Sequence, residues 1–264
     1  MVGTSTRAQP CFAWSGSVTA RAHLAGSPLR GTITRHARVL FAGASLALST
    51  GADAQRGALI SVYSDYRFRG VSLSDRRPVG IADLSYDLPG GLYAALSGRL
   101  VATENEGAKP LSFTVNGGYA RRLGPDMAVD FGVVHSAYSH YSGLNSGRSY
   151  TEVYAGLSGT LISARLSISP NYLGNARWTT YGEINGHLDL STKTTIEAEI
   201  GVLSGLGKRY QGIGRPQLDA RLGVGHRIGP VTLHAALNAQ GRNYLYSARS
   251  NHHVALVIGA STAL

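Results

Sequence analysis

The sequence predicts an all-β chain closed into a transmembrane up-and-down antiparallel β-barrel of about 12 strands. Three observations carry that expectation: an N-terminal export address, a period of two with one apolar and one polar face, and connections that alternate between short and long. A soluble sandwich or lipocalin-like barrel would bury the apolar face. About twelve strands with Arg, Asp and Glu on the small-residue face suit instead a wider barrel, wet inside and against lipid outside.

Composition narrows the classes first. The 264 residues include 34 Gly, with 43% hydrophobic and 15% charged residues and a mean hydropathy of -0.04. This is neither a disordered polar tail nor a bundle of membrane helices. Beyond the N-terminal region no apolar run approaches the roughly 20 residues a spanning helix needs, so a membrane would be crossed by strands.

The export address is the segment 30–55, RGTITRHARVLFAGASLALSTGADAQ. Arg30, Arg35 and Arg38 supply positive charge, Val39 to Leu48 is an apolar stretch of signal-peptide length, and Ala52-Asp53-Ala54 has the small-x-small pattern cut by signal peptidase. Residues 1–54 are therefore expected to be an N-terminal extension and cleaved signal, and residues 55–264 the barrel. Cys11, the sole cysteine, falls in the removed part, which excludes disulfides and thiolate chemistry from the rest. Taking the five arginines and one aspartate before Gln55 from the 25 basic and 15 acidic residues leaves a net charge of about +6. The charge is not clustered, so nucleic acid is not an expected partner, and its sign favours anions weakly in any pore.

The elements follow in order. The segment 58–69 opens with Ile60 and Val62 and runs into SVYSDYRFRGVSLSD, residues 61–75; parity places Tyr66 and Phe68 toward lipid and Asp65, Arg67 and Arg69 toward the lumen or outer rim. Strands at 78–87 and 92–103 meet at Pro89-Gly90-Gly91. In 110–123, Leu111, Phe113 and Val115 face away from Ser112, Thr114 and Asn116, and Gly124-Pro125-Asp126 turns the chain into 127–138. Strands 148–159 and 161–172 share Gly159-Thr160, and in the second Ile162, Ala164, Leu166 and Ile168 alternate with Ser163, Arg165, Ser167 and Ser169. In 179–190, Ile184, Leu188 and Leu190 oppose Glu183, Asn185, His187 and Asp189. After Ser191-Thr192-Lys193, the strand 194–203 sets Ile196, Ala198, Ile200 and Val202 against Glu197, Glu199 and Gly201. In 215–228, Leu218, Ala220, Leu222 and Val224 oppose Asp219 and Arg221; Gly229-Pro230 leads to 230–240 and the chain ends with 252–264. The longer links are Gly70 to Arg77, Glu104 to Lys109, Ser139 to Ser149, Leu173 to Trp178, Ser204 to Gly214 and Gly241 to Asn251. Short periplasmic turns and longer outer loops produce that alternation.

Ser64-Asp65-Tyr66-Arg67-Phe68-Arg69-Gly70-Val71-Ser72-Leu73-Ser74 also resembles the opening of TorF-family porins, an S-D-Y-x-F-R-G-x-S-x-S segment. A second match is Tyr150 to Ser158, TEVYAGLS after the Tyr, followed by Ile162-Ser163-Ala164-Arg165 and Ser169-Pro170-Asn171-Tyr172. The resemblance implies an outer-membrane barrel of Gram-negative bacteria that passes small solutes, inserted by the barrel-assembly machinery. Two departures stand out: a polar link at Ser139-His140-Tyr141-Ser142, and a last residue, Leu264, where such barrels usually end on an aromatic.

The expected function is an outer-membrane porin passing small hydrophilic solutes by passive diffusion, with outer-membrane lipid as its surroundings, no cofactor and no enzymatic activity. By parity the pore-lining candidates are Asp83, Arg99, Arg122, Asp130, Glu152, Arg165, Glu183, Asp189, Glu197, Glu199, Asp219, Arg221 and Arg227. Rings of one sign would select ions of the other, whereas pairing across strands would fill the barrel with salt bridges. Two alternatives accompany this expectation. One is a closed barrel with a structural or adhesion role. The other is a lipid A hydrolase, in which His140 would activate Ser142 and Glu152 would orient His140. His252-His253, adjacent and so on opposite strand faces, do not suit one metal ion. The scattered glycines mark places where bulky neighbours need room.

Overall fold

The computed structural model describes residues 55–144, 148–174, 178–206, 216–241 and 254–264; the export segment and His252-His253 lie outside them. Twelve strands close into one antiparallel barrel: β1 (Gln55–Tyr63), β4 (Val79–Asp87), β5 (Leu92–Thr103), β6 (Gly107–Arg122), β7 (Ala128–Tyr138), β8 (Arg148–Ser158), β9 (Ile162–Ser169), β10 (Thr179–Asp189), β11 (Thr194–Gly205), β12 (Gln217–Ile228), β13 (Val231–Gln240) and β14 (Val254–Ala263). Each pairs with its neighbours in the chain, and closure comes from β1 against β14, from Leu59 opposite Ala263 to Tyr63 opposite Gly259. Closure leaves no edge strand. Two further short strands, β2 (Arg67–Phe68) and β3 (Val71–Ser72), pair only with each other.

The burial pattern is inverted relative to a soluble barrel. On β11, Ile200 is 62% exposed while its neighbour Glu199 is 6% exposed. Likewise Leu92, Leu96 and Leu100 of β5 point out while Tyr93, Ser97 and Arg99 point in. The period of two therefore sorts apolar side chains outward and polar ones inward along most of the wall.

Three expectations change. The first strand stops at Tyr63, not at residue 69: Ser64 makes two last hydrogen bonds to Ile258, and the chain then turns into the barrel. Tyr66 and Phe68 consequently do not face lipid; they are 3% and 6% exposed, in the interior core. The link expected from Glu104 to Lys109 is only residues 104–106, since β6 begins at Gly107. Leu111, expected outside, is fully buried inside. Pro110 has no N–H for the ladder, the register shifts between Arg99 and Leu100, and Leu111 becomes the extra residue of a bulge turned inward.

Inside the barrel, tyrosines cover glycines. Tyr93 is opposite Gly118, Tyr154 opposite Gly132 and Tyr63 opposite Gly259, and a Cβ on any of these glycines would collide with the ring. Glycine here gives the rings room to lie flat on the wall.

Candidate functional site

The interior is organised by the segment 64–77, an inward hairpin entering from the long-loop end. Its two-residue tip is Arg69-Gly70, both at positive φ, 51° and 77°. That pair of angles is the type I′ turn that suits a hairpin's twist. Gly70 is needed for contact as well as conformation: a Cβ there would lie 2.8 Å from Cβ of Gln240 and 2.9 Å from Cβ of Asp219. The tip thus abuts β12 and β13, which lie three and two strands round the barrel from β1.

Asp65 holds the hairpin's arms together. Its Oδ1 accepts from the hydroxyls of Ser72 (2.6 Å) and Ser74 (2.8 Å), and its Oδ2 pairs with Arg67 at 3.0 Å. Arg67 also donates to the Gly70 carbonyl, and the Tyr66 amide donates to Ser74 Oγ at 2.9 Å. The alternating Asp, Arg and Ser of the quoted segment therefore satisfy one another within a buried turn.

The hairpin docks by packing and by charge. Phe68, Val71 and Leu73 join Leu111, Tyr138, Tyr150, Tyr172, Tyr181, Leu203 and Val257 in one interior cluster. Arg99 lies over the Tyr66 ring at 4.7 Å. Arg69 Nη2 donates to both carboxylate oxygens of Glu152, at 2.9 and 2.8 Å, and its guanidinium lies 4.0 Å over the ring of Tyr181. The β7–β8 loop straps the hairpin from above, through Gly143 N to Leu73 O (2.7 Å) and Arg77 Nη2 to Tyr141 O (2.9 Å).

A second polar layer crosses the wall nearer the short-turn end. Arg165 pairs with Asp130 at 3.1 Å and lies 4.3 Å over Tyr154. The Tyr154 hydroxyl donates to Asn116 Oδ1 at 2.8 Å and also meets the Tyr93 hydroxyl.

The parity candidates divide three ways. Arg99, Asp130, Glu152, Arg165, Glu183, Glu199 and Asp219 are buried in the interior. Asp83, Glu197 and Arg221 are half-buried; Ser97 donates to Asp83, and Arg221 pairs with Glu197 at 3.2 Å. Arg122, Asp189 and Arg227 stand at the short-turn rim, where the strand ends run past the packed interior: Arg122 and Asp189 are exposed, and Arg227 donates to the Thr192 carbonyl. Sequence reading missed the hairpin side chains Asp65, Tyr66, Phe68 and Arg69 as a unit. Of the charged residues buried among those described, six are carboxylates (Asp65, Asp130, Glu152, Glu183, Glu199, Asp219) and four are arginines (Arg67, Arg69, Arg99, Arg165). By formal count the buried charges thus lean to the opposite sign from the chain's net charge.

Among the described residues, cavities of about 20 Å³ lie beside the hairpin tip, each with room for about one water molecule. The hydrolase set is not assembled. Glu152 is engaged by Arg69, the Ser142 hydroxyl donates to the Ser139 carbonyl at 2.7 Å, and the His140 ring packs on Tyr141.

A solved structure shares this architecture. The barrel is similar to the NanC porin, at a TM-score of 0.52 with 13% identity, covering 79% of this chain and 100% of that one. The KdgM porin, solved in complex with disordered oligogalacturonate, aligns at a TM-score of 0.48 with 8% identity over 79% of this chain and 98% of that one. At such identities the likeness is one of fold. No curated protein matches the chain. A family model described as a bacterial protein of unknown function, Gcw_chp, matches residues 51–255. The chain belongs to the Gcw_chp family.

Proposed function

We propose that this barrel resides in the bacterial outer membrane and is a porin-like channel for small hydrophilic solutes, moving by passive diffusion. One observation carries the reading: a closed twelve-stranded barrel whose outward residues are large and apolar and whose inward face holds the buried charges. Such a surface needs lipid, since a contiguous apolar band of this extent would aggregate in water. The NanC-like fold supports it. Export by the 1–54 signal, insertion by the barrel-assembly machinery and the finer TorF-family assignment belong to the same proposal, as does the absence of enzymatic activity. Its test is single-channel conductance of the refolded chain from Gln55 to Leu264 in a planar bilayer. Discrete, stable steps support the channel; silence from folded protein refutes it.

The inward hairpin favours a second reading, a closed barrel with a structural or adhesion role, because its side chains fill the lumen at the long-loop end. The same recording separates the two. For the hydrolase alternative, the expected result is that Ser142→Ala leaves lipid A acylation unchanged.

A further inference from the structure

The wall that receives the hairpin tip has a composition of its own. Tyr181 is its centre, with the Arg69 guanidinium stacked on its ring at 4.0 Å and flanked by Phe68 at 4.8 Å and Tyr172 at 5.2 Å. The Tyr181 hydroxyl donates to Asp219 Oδ1 at 3.1 Å, with Glu199 Oε1 at 3.4 Å as its alternative acceptor. Glu152 and Glu183 line the cavity on one side of Arg69, and Glu199 and Asp219 line the one on the other. Four buried carboxylates from four different strands thus surround one planar cation stacked between aromatics.

One further fact points to a ligand rather than to hairpin docking alone. Asp219 is 5% exposed, yet its Oδ2 lies buried without a hydrogen-bond partner. A buried carboxylate oxygen left in that condition is costly unless a donor reaches it. The four carboxylates come from β8, β10, β11 and β12, so they are spread over a surface. A flat, delocalised cation with several N–H donors matches both the spread and the aromatic faces; a compact ammonium matches neither as well.

We propose that the wall around Tyr181 is a binding site for a guanidinium-bearing solute, and that Arg69 of the hairpin occupies it in the solute's place. The identity of the occupant as a transported solute rests on the channel reading; the site itself does not. Arg69 is its internal mimic, carried on a two-residue turn that can be altered without touching the wall. Glycine adopts the left-handed angles of position 69 without strain, so Arg69→Gly removes the side chain and keeps the turn.

The test is thermal unfolding of refolded Arg69→Gly barrel, with methylguanidinium, methylammonium or sodium chloride at equal ionic strength. Methylguanidinium at about ten times its dissociation constant is expected to raise the Tm by about 3 °C, and the other two salts not to do so. Adding Asp219→Asn to the variant is expected to remove most of that shift. Should Arg69→Gly refold poorly, the yield of heat-resistant barrel replaces the Tm as readout and is expected to recover in methylguanidinium alone. Equal effects of methylguanidinium and methylammonium, or no effect of either, overturn the site. A barrel that shows the selective shift but never conducts overturns the channel reading and leaves the site standing. A conducting barrel without the shift overturns only the site.

Discussion

Arg69 and Glu152 lie 83 residues apart in sequence and meet inside the barrel, one nitrogen of the guanidinium donating to both carboxylate oxygens. Both side chains are almost fully buried, at 4% and 5% exposure. The pair joins the hairpin tip to β8, and neutralising Glu152 removes the carboxylate that Arg69 engages through both oxygens. Breaking such a pair costs ~3–5 kcal/mol. Glu152→Gln keeps the shape and removes the charge. The expected outcome is a barrel that stays closed and heat-resistant while the hairpin leaves its seat, so that trypsin cleaves after Arg67 or Arg69, bonds the wild-type protein protects. Resistance equal to wild type would show that apolar packing alone holds the hairpin.

Tyr63 and Gly259 form the tightest of the ring-over-glycine pairs, at the seam where β1 closes on β14. A Cβ on Gly259 would come within 2.7 Å of the Val62 carbonyl oxygen and would overlap the Tyr63 ring, whereas one on Gly80 would meet nothing within 4 Å. Overpacking of this kind costs ~1–3 kcal/mol. Gly259→Ala is expected to lower the urea midpoint and slow barrel closure, while Gly80→Ala leaves both within error. Equal effects of the two would remove the role assigned to the ring.

Most of the wall was legible in the sequence because alternation and turn chemistry are local: Ile196 to Val202 with Glu197 and Glu199, or Gly229-Pro230, mean the same thing in a fragment as in the barrel. The hairpin was not, and the reason lies in Tyr66, Arg67, Phe68 and Arg69. They continue the alternation of Val62 and Tyr63 without a break, and nothing in their spacing separates a strand running on from a ribbon turning in. Only Gly70 and the Ser72-x-Ser74 pattern marked the difference, and their meaning depends on Asp65 reaching back to both serines. The site around Tyr181 was harder still, since Glu152, Glu183, Glu199 and Asp219 come from four strands and the cation among them from a fifth segment. Parity placed Glu183, Glu199 and Asp219 on the inner face but said nothing of depth, which is why Arg122, Asp189 and Arg227 at the rim shared their ranking.

Outward placement of Ile200, between Ile184 on β10 and Ala220 on β12, tests the bilayer directly. Arginine at the midplane of an outer-membrane barrel costs ~2–4 kcal/mol and near the interface ~0–1 kcal/mol. Ile200→Arg is therefore expected to lower unfolding stability in lipid vesicles strongly, and Leu190→Arg, beside the short turn, only slightly. Were Ile200→Arg harmless, the outward face would not be meeting hydrocarbon, and the membrane reading would fall with it.

Outside the membrane band, Glu106 accepts from the Tyr141 hydroxyl at 2.8 Å and pairs with Lys109 at 3.3 Å, tying the β5–β6 turn to the loop that straps the hairpin. The Tyr141 hydrogen bond first, and Lys109 second, hold the Glu106 carboxyl below its ordinary pKa. A carboxylate depressed in the folded state contributes its link above the unfolded pKa, about 4.3 for glutamate, and loses it as pH falls through the lower folded value. The tie is therefore expected to persist unchanged from neutral pH down to about 5 and to open only in stronger acid. Tyr141→Phe removes the leading cause, so the carboxyl carbon of Glu106, followed by NMR through an acid titration, should show its midpoint moving up toward the ordinary value. A midpoint that does not move would assign the depression to Lys109, and the strap would then rest on Arg77 and Gly143 alone.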